Sequence, residues 1–127
     1  LARRRENHAL FCERLEGFQN HLKCWPEIPG TRHAGFAFPM LLREDSEHAR
    51  ADLMRHLESR KIATRPISGS NLARQPVFDR LTHARISGDL KVADAIHERG
   101  IFVGNSHAFH EGHADLLAEA LKEFFDG

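Results

Sequence analysis

"ADAIHERGIFVGNSHAFHEGHADLLAEALKEFF", residues 93–125, holds the pattern that decides the fold. Its first part belongs to a short helix, "LKVADAIHER", which Asp89 can cap and which Gly100 closes. "IFVG" then reads as a buried strand ending at Gly104. A polar bend follows, and a helix over 111–125 turns Leu117, Ala120, Leu121, Phe124 and Phe125 inward. A short strand flanked by helices has to bury its apolar face against them.

The rest of the chain extends this pattern. "AGFAFPMLL", residues 34–42, is a second short, apolar, aromatic-rich strand, and Pro39 predicts an edge position or a bulge. Asp45 and Ser46 are good caps for the helix "EHARADLMRHLESRK", with Ala49, Leu53, Met54 and Leu57 on one face. "IATRPI" returns as a strand. Residues 1–22 predict one long helix, because Phe11, Leu15, Phe18 and Leu22 form one apolar stripe, weakened by Gly17 and stopped by "CWPEIPG". The expected architecture is α+β: a two-layer sandwich with a three- to four-stranded sheet covered by helices on one face. The thin sheet and the broad stripe of the first helix suit a lobe that leans on another body.

The 127 residues fit one domain, and no apolar run approaches the ~20 residues of a membrane span. Eighteen basic and eighteen acidic side chains cancel, leaving no global field for nucleic acid or an anionic membrane. Arg3, Arg4 and Arg5 read as a solvated helix face. No secretory signal is visible, and Cys12 and Cys24 lack CxxC spacing, so a reduced, cytoplasmic protein is expected. The chain starts in mid-helix without Met, as expected of a piece of something longer.

Two polar bends carry the candidate chemistry. In "TRPISGSNLARQPVF", residues 64–78, Pro66 keeps Arg65 extended, Gly69 permits a turn, and Asn71 can cap it. Arg65 and Arg74 offer planar donor forks suited to carboxylate or phosphate, although solvated arginines around a capped turn would give the same pattern. In "VGNSHAFHEGH", residues 103–113, Asn105, Ser106 and His107 precede a helix start, where Ser106 serves as a cap or as a ligand contact. His107, His110 and His113 advance by three on a helix and do not converge on one metal ion; no metal site is expected. There is no GxSxG elbow, P-loop or GxGxxG, and Lys23, Lys61, Lys91 and Lys122 fall in polar turns or on helix surfaces. The chain can hold a polar ligand without supplying a nucleophile.

"TRPISGSNLARQPVF" resembles the small-domain signature of the DegT/DnrJ/StrS family of pyridoxal-phosphate (PLP) enzymes that act on nucleotide-linked keto sugars, with Ser70 standing where that family has glycine. "RRRENHALFCERL" is similar to the family's long linking helix, and "ADAIHERGIFVGNSHAFHEGHADLLAEAL" to its last strand, ligand loop and helix. The resemblance spans essentially the whole chain, and "SNLARQP" with "VGN" points to the branch of deoxysugar 3-dehydratases. It implies the small C-terminal domain of a fold-type I enzyme, 1–127, with residues 1–22 leading from a large domain that holds PLP or pyridoxamine phosphate (PMP). The amine of PMP would condense with the C4 ketone and the C3 hydroxyl would leave, with the pyridinium ring as electron sink. It also implies a homodimer, a nucleotide-linked keto sugar as partner, and an isolated chain without activity. Arg65, Asn71, Arg74, Gln75, Asn105 and His107 would contact the substrate, with His107 a possible assistant in proton transfer; no residue of this chain would bind the cofactor. A sugar aminotransferase of the same family, or a noncatalytic module binding an anion or a partner, are the alternatives.

Overall fold

A computed structural model describes residues 1–33, 35–67 and 71–127. Four strands, β1 (Leu22–Lys23), β2 (Ala37–Leu42), β3 (Thr64–Pro66) and β4 (Gly100–Gly104), form one antiparallel sheet in the order β1-β2-β4-β3. Four helices accompany it: α1 (Ala2–Arg14), α2 (Arg50–Ser59), α3 (Lys91–Arg99) and α4 (Glu111–Asp126). This is the expected small α+β domain. The sheet takes its fourth strand from the two residues of β1.

Strand alternation sorts the side chains into two faces. Phe38, Met40 and Leu42 of β2, with Ile101 and Val103 of β4, are buried in one core with Phe11, Leu15, Leu22, Leu53, Leu57, Leu117 and Leu121. The core therefore joins the sheet to α1, α2 and α4. Polar ties reinforce the same contacts: Arg14 Nε donates to Asp115 at 2.7 Å, and the His56 ring bonds the Ala120 carbonyl at 2.8 Å. None of α3 is fully buried, and it adds nothing to this core.

The first helix departs from expectation. It ends at Arg14, a 3-10 turn follows at Glu16–Phe18, and Leu22 belongs to β1 instead of to a helix running to residue 22. Leu15 and Leu22 are nevertheless buried, because the turn and the strand steer them into the core that Phe11 already occupies. The apolar stripe is spent largely inside the domain. Pro39 lies on an inner strand, where its lack of an N–H is tolerated because β1 covers only Leu41 and Leu42 and leaves its outer flank free of a paired strand.

Helix caps also differ. The second helix begins at Arg50, and Ser46 instead accepts the His48 N–H in a turn. The fourth helix is capped by His110, whereas Ser106 accepts the Ala108 N–H. Gly100 is extended, with φ −83° and ψ 131°, so it does not close α3 by a left-handed turn. Its need for glycine is steric: a Cβ there would lie 2.6 Å from the Ile96 carbonyl oxygen and 2.8 Å from Ile67 Cδ1. Replacing Gly100 by Ala is expected to destabilise the domain by about 1–3 kcal/mol through backbone displacement, read as a lower denaturant midpoint at unchanged m-value.

Candidate functional site

The sheet face turned away from the core carries a row that crosses three strands. Phe102 of β4 is paired with Pro39 on one side and with Arg65 on the other. Phe36 stands over this row, its ring 5.9 Å from that of Phe102, and is 67% exposed. Such an aromatic surface, left open beside an exposed arginine, can accept a ligand with both apolar and anionic parts. The Arg65 side chain has no hydrogen-bond or ion-pair partner among the described residues, while its backbone belongs to the β3–β4 ladder. Arg65 is the predicted site residue whose donors stand free on this face.

Asn71 and Arg74 are held differently. Asn71, 3% exposed, accepts the Ala73 N–H at 3.0 Å and donates to Asp94 of α3 at 2.7 Å. Arg74 grips the same carboxylate with both arms of its fork, Nε to Oδ1 at 2.8 Å and a terminal nitrogen to Oδ2 at 2.9 Å. These bonds, from Arg74 first and Asn71 second, lower the Asp94 carboxyl to about 2. At the other end of the bend, Ile67 donates its N–H to the Gly100 carbonyl at 3.2 Å. Gly69 and Ser70, named in the sequence reading of this turn, lie outside the described residues. Gln75 is half-buried, its backbone N–H bonded to Leu72.

Asn105 is 1% exposed and fully engaged at the far end of β4. It donates to the carbonyls of Arg4 at 2.9 Å and Gly35 at 3.2 Å, and accepts from Asn7 at 3.2 Å. Around it α1 grips the segment before β2. His8 donates Nε2–H to the Trp25 carbonyl at 2.7 Å, with its ring 4.0 Å from that of His33, and burial pushes its pKa down. Glu27 accepts both arms of Arg5, at 3.1 and 2.6 Å, and the His33 N–H at 3.1 Å. Arg5 and then the His33 N–H hold its carboxyl at about 2.

The structure thus brings Asn71 and Arg74 together on Asp94 and places Asn105 in a separate knot. Arg65 lines a cleft with Glu58, Lys61 and Thr64 in which neither Asn71 nor Asn105 takes part. His107 is exposed on the second bend. His113 accepts the His110 N–H at 3.3 Å and stacks on Phe109, so this pair serves the helix start. Among the described residues no cluster of His, Cys, Asp or Glu is arranged to hold a metal ion. Burial raises both thiols, Cys24 to about 12, which leaves them poor nucleophiles.

The family model described as the DegT/DnrJ/EryC1/StrS aminotransferase family matches residues 1–122. The chain belongs to that family. It is 30% identical to a GDP-4-keto-6-deoxy-D-mannose 3-dehydratase of Yersinia pseudotuberculosis, covering 97% of this chain and 29% of the relative. It is 28% identical to the lipopolysaccharide biosynthesis protein RfbH of Salmonella typhimurium, covering 98% of this chain and 28% of the relative. The E coli GDP-4-keto-6-deoxy-D-mannose-3-dehydratase, solved with bound hydrated PLP, superposes with a TM-score of 0.86 at 25% identity, over 95% of this chain and 30% of that one. The chain therefore spans less than a third of the length of these relatives.

No lysine of this DegT-family domain is placed to form an imine with the cofactor named for that structure. An imine-forming lysine needs a dry, apolar setting that leaves its amine neutral. Here Lys23 lies over the Trp25 ring at 5.6 Å, Lys91 pairs with Asp89, Lys122 pairs with Asp126, and Lys61 is exposed at a turn with φ 63°. None is in such a pocket, and no catalytic step through the cofactor follows from these residues.

Sequence reasoning missed Asp94, Asn7, His8 and Glu27. Asp94 sits in the first turn of α3, where an acidic residue is ordinary, and so it carried no signal of its own. The depressed carboxyls give a pH prediction. Asp94 and Glu27 fall from ordinary values of 3.8 and 4.5 to about 2 in the folded chain, so the stability they contribute is full above those values. It is lost as pH drops from about 4.5 through about 2. Unfolding midpoints measured across that window should fall, and Asp94→Asn should make the fall shallower.

Proposed function

We propose that this chain is the C-terminal, substrate-closing domain of a PLP/PMP-dependent nucleotide-sugar enzyme, and that the enzyme is a 4-keto-6-deoxyhexose 3-dehydratase of deoxysugar or O-antigen biosynthesis. The observation that carries this reading is the similarity, over nearly the whole domain, to the Yersinia and E coli 3-dehydratases. A further relative, a dTDP-4-dehydro-2,6-dideoxy-D-glucose 3-dehydratase of Saccharopolyspora spinosa, is 31% identical over 76% of the chain and extends the same chemistry to another sugar nucleotide.

In this reading the reacting cofactor and the residue facing it belong to the large N-terminal domain. The domain described above supplies a wall. Arg65, with free donors beside Phe36 and Phe102, takes a phosphate or hydroxyl of the nucleotide sugar, and the aromatic row packs against its apolar parts. His107 approaches from the second bend as a hydroxyl contact able to move a proton. Asn71, Arg74 and Asn105 act by holding these bends, with Gln75 beside them, instead of by meeting substrate through all their donors. The enzyme works in the cytoplasm as a homodimer, and this domain alone is inactive. No helix among the described residues is long and apolar enough to cross a membrane.

The aminotransferase alternative retains the same wall and differs in the group facing the cofactor. The test is product analysis with the full-length enzyme, PLP, glutamate and a nucleotide-linked 4-keto-6-deoxyhexose. A product that has lost the C3 hydroxyl is expected; an amino sugar would establish the alternative, and an unchanged sugar would overturn both. Arg65→Ala should raise KM for the sugar nucleotide by roughly 10- to 100-fold, the cost of a lost charge-assisted hydrogen bond.

A further inference from the structure

The bend that leaves β3 is fastened at both ends to one unit of the fold. At its start, Ile67 donates to the carbonyl of Gly100, and the Ile67 side chain occupies the space a Cβ on Gly100 would need. At its end, Asn71 and Arg74 together place three hydrogen bonds on Asp94. Gly100 and Asp94 belong to β4 and α3, which are continuous in sequence. Ile67 and the turn from Asn71 to Arg74 are therefore both tied to the α3–β4 unit, and Arg65 lies on β3 two residues before Ile67.

We propose that Asp94 is a positioning residue of the substrate wall: it acts through Arg74 and Asn71 to fix the bend, and it does so without touching substrate itself. This rests on the nucleotide-sugar reading above and assigns a residue that reading does not require. Three features support it beyond simple packing. Asn71 is buried with its amide spent between Ala73 and Asp94, so it cannot turn outward without leaving polar atoms unpaired. Arg74 is engaged through a two-armed fork, which fixes orientation as well as distance. The Arg74 N–H bonds to the Asn71 carbonyl and the Gln75 N–H to that of Leu72, so the short turn that Asp94 holds is itself closed.

The alternative role for Arg74, as a direct ligand of a phosphate, makes a different prediction. A ligand arginine released from Asp94 would bind an anion at least as well as before. A clamping arginine released from Asp94 would let the bend drift.

The test uses the full-length enzyme carrying this domain, with Asp94→Asn, Arg74→Gln and the double variant. Each single change is expected to raise KM for the nucleotide sugar roughly tenfold while kcat stays within about twofold, and the double is expected to match the worse single, because one linkage is broken in all three. Hydrogen exchange at the Ala73, Arg74 and Gln75 amides should quicken in Asp94→Asn, with β2 and β4 amides unchanged. An Asp94→Asn enzyme with unmoved KM overturns the proposal, as does a loss that lowers kcat and protection throughout the domain. If Arg74→Gln alone weakens binding, Arg74 is a ligand and the clamp is refuted. Absence of turnover by the unmodified enzyme would instead overturn the nucleotide-sugar reading, and this proposal with it.

Discussion

Strand β4 is the constraint on which the rest of the domain depends. It pairs with β2 on one side and β3 on the other, so every residue from Gly100 to Val103 is fixed by a neighbouring strand. Its core-facing Ile101 and Val103 join the sheet to the helices, while Phe102 on the opposite face aligns Pro39 with Arg65. Its two ends set the two polar bends. At one end α3 runs into it without a linker, which only glycine at 100 allows; at the other, Asn105 ties it to α1 and to the segment before β2.

That placement explains why the domain spends so much polar capacity on itself. A buried amide or carboxylate is tolerated only when its hydrogen bonds are made, and a bend satisfied from several directions has few other conformations open to it. Asn105 bonds to two separate segments, α1 through Arg4 and Asn7 and the stretch before β2 through Gly35, and Asp94 receives donors from two residues of the first bend. The polar richness of "TRPISGSNLARQP" thus has two uses. In the proposed substrate wall, Asn71 and Arg74 hold shape and Arg65 meets the ligand.

The sequence made the elements legible where burial and period agree. Over 111–125 the inward side chains recur with helical spacing and really are on one helix, and "IFVG" is a strand because its alternate residues reach the core. The same logic failed over residues 15–22. There, burial persisted while the backbone changed from helix to 3-10 turn to strand, and a spacing of apolar residues cannot distinguish these routes into one core. Within the bends, residue type identified polar groups but not their partners. Asn71 and Asp94 are 23 positions apart, and Asn7 and Asn105 98 apart, so only tertiary structure shows that their donors are already taken.

The proposed substrate wall divides holding groups from free groups. The open face contributes apolar surface from Phe36 and Phe102 and one charged fork from Arg65, all on or beside paired strands. The strand fixes where the Arg65 side chain starts, and with no carboxylate on its guanidinium the donors need not be won back from an internal partner when an anion arrives. Arg74 is in the opposite situation: any anion must compete with Asp94 for both arms of its fork. In the proposed wall the two tasks fall to different arginines, with the clamped one ordering the bend and the free one on the sheet available to the ligand.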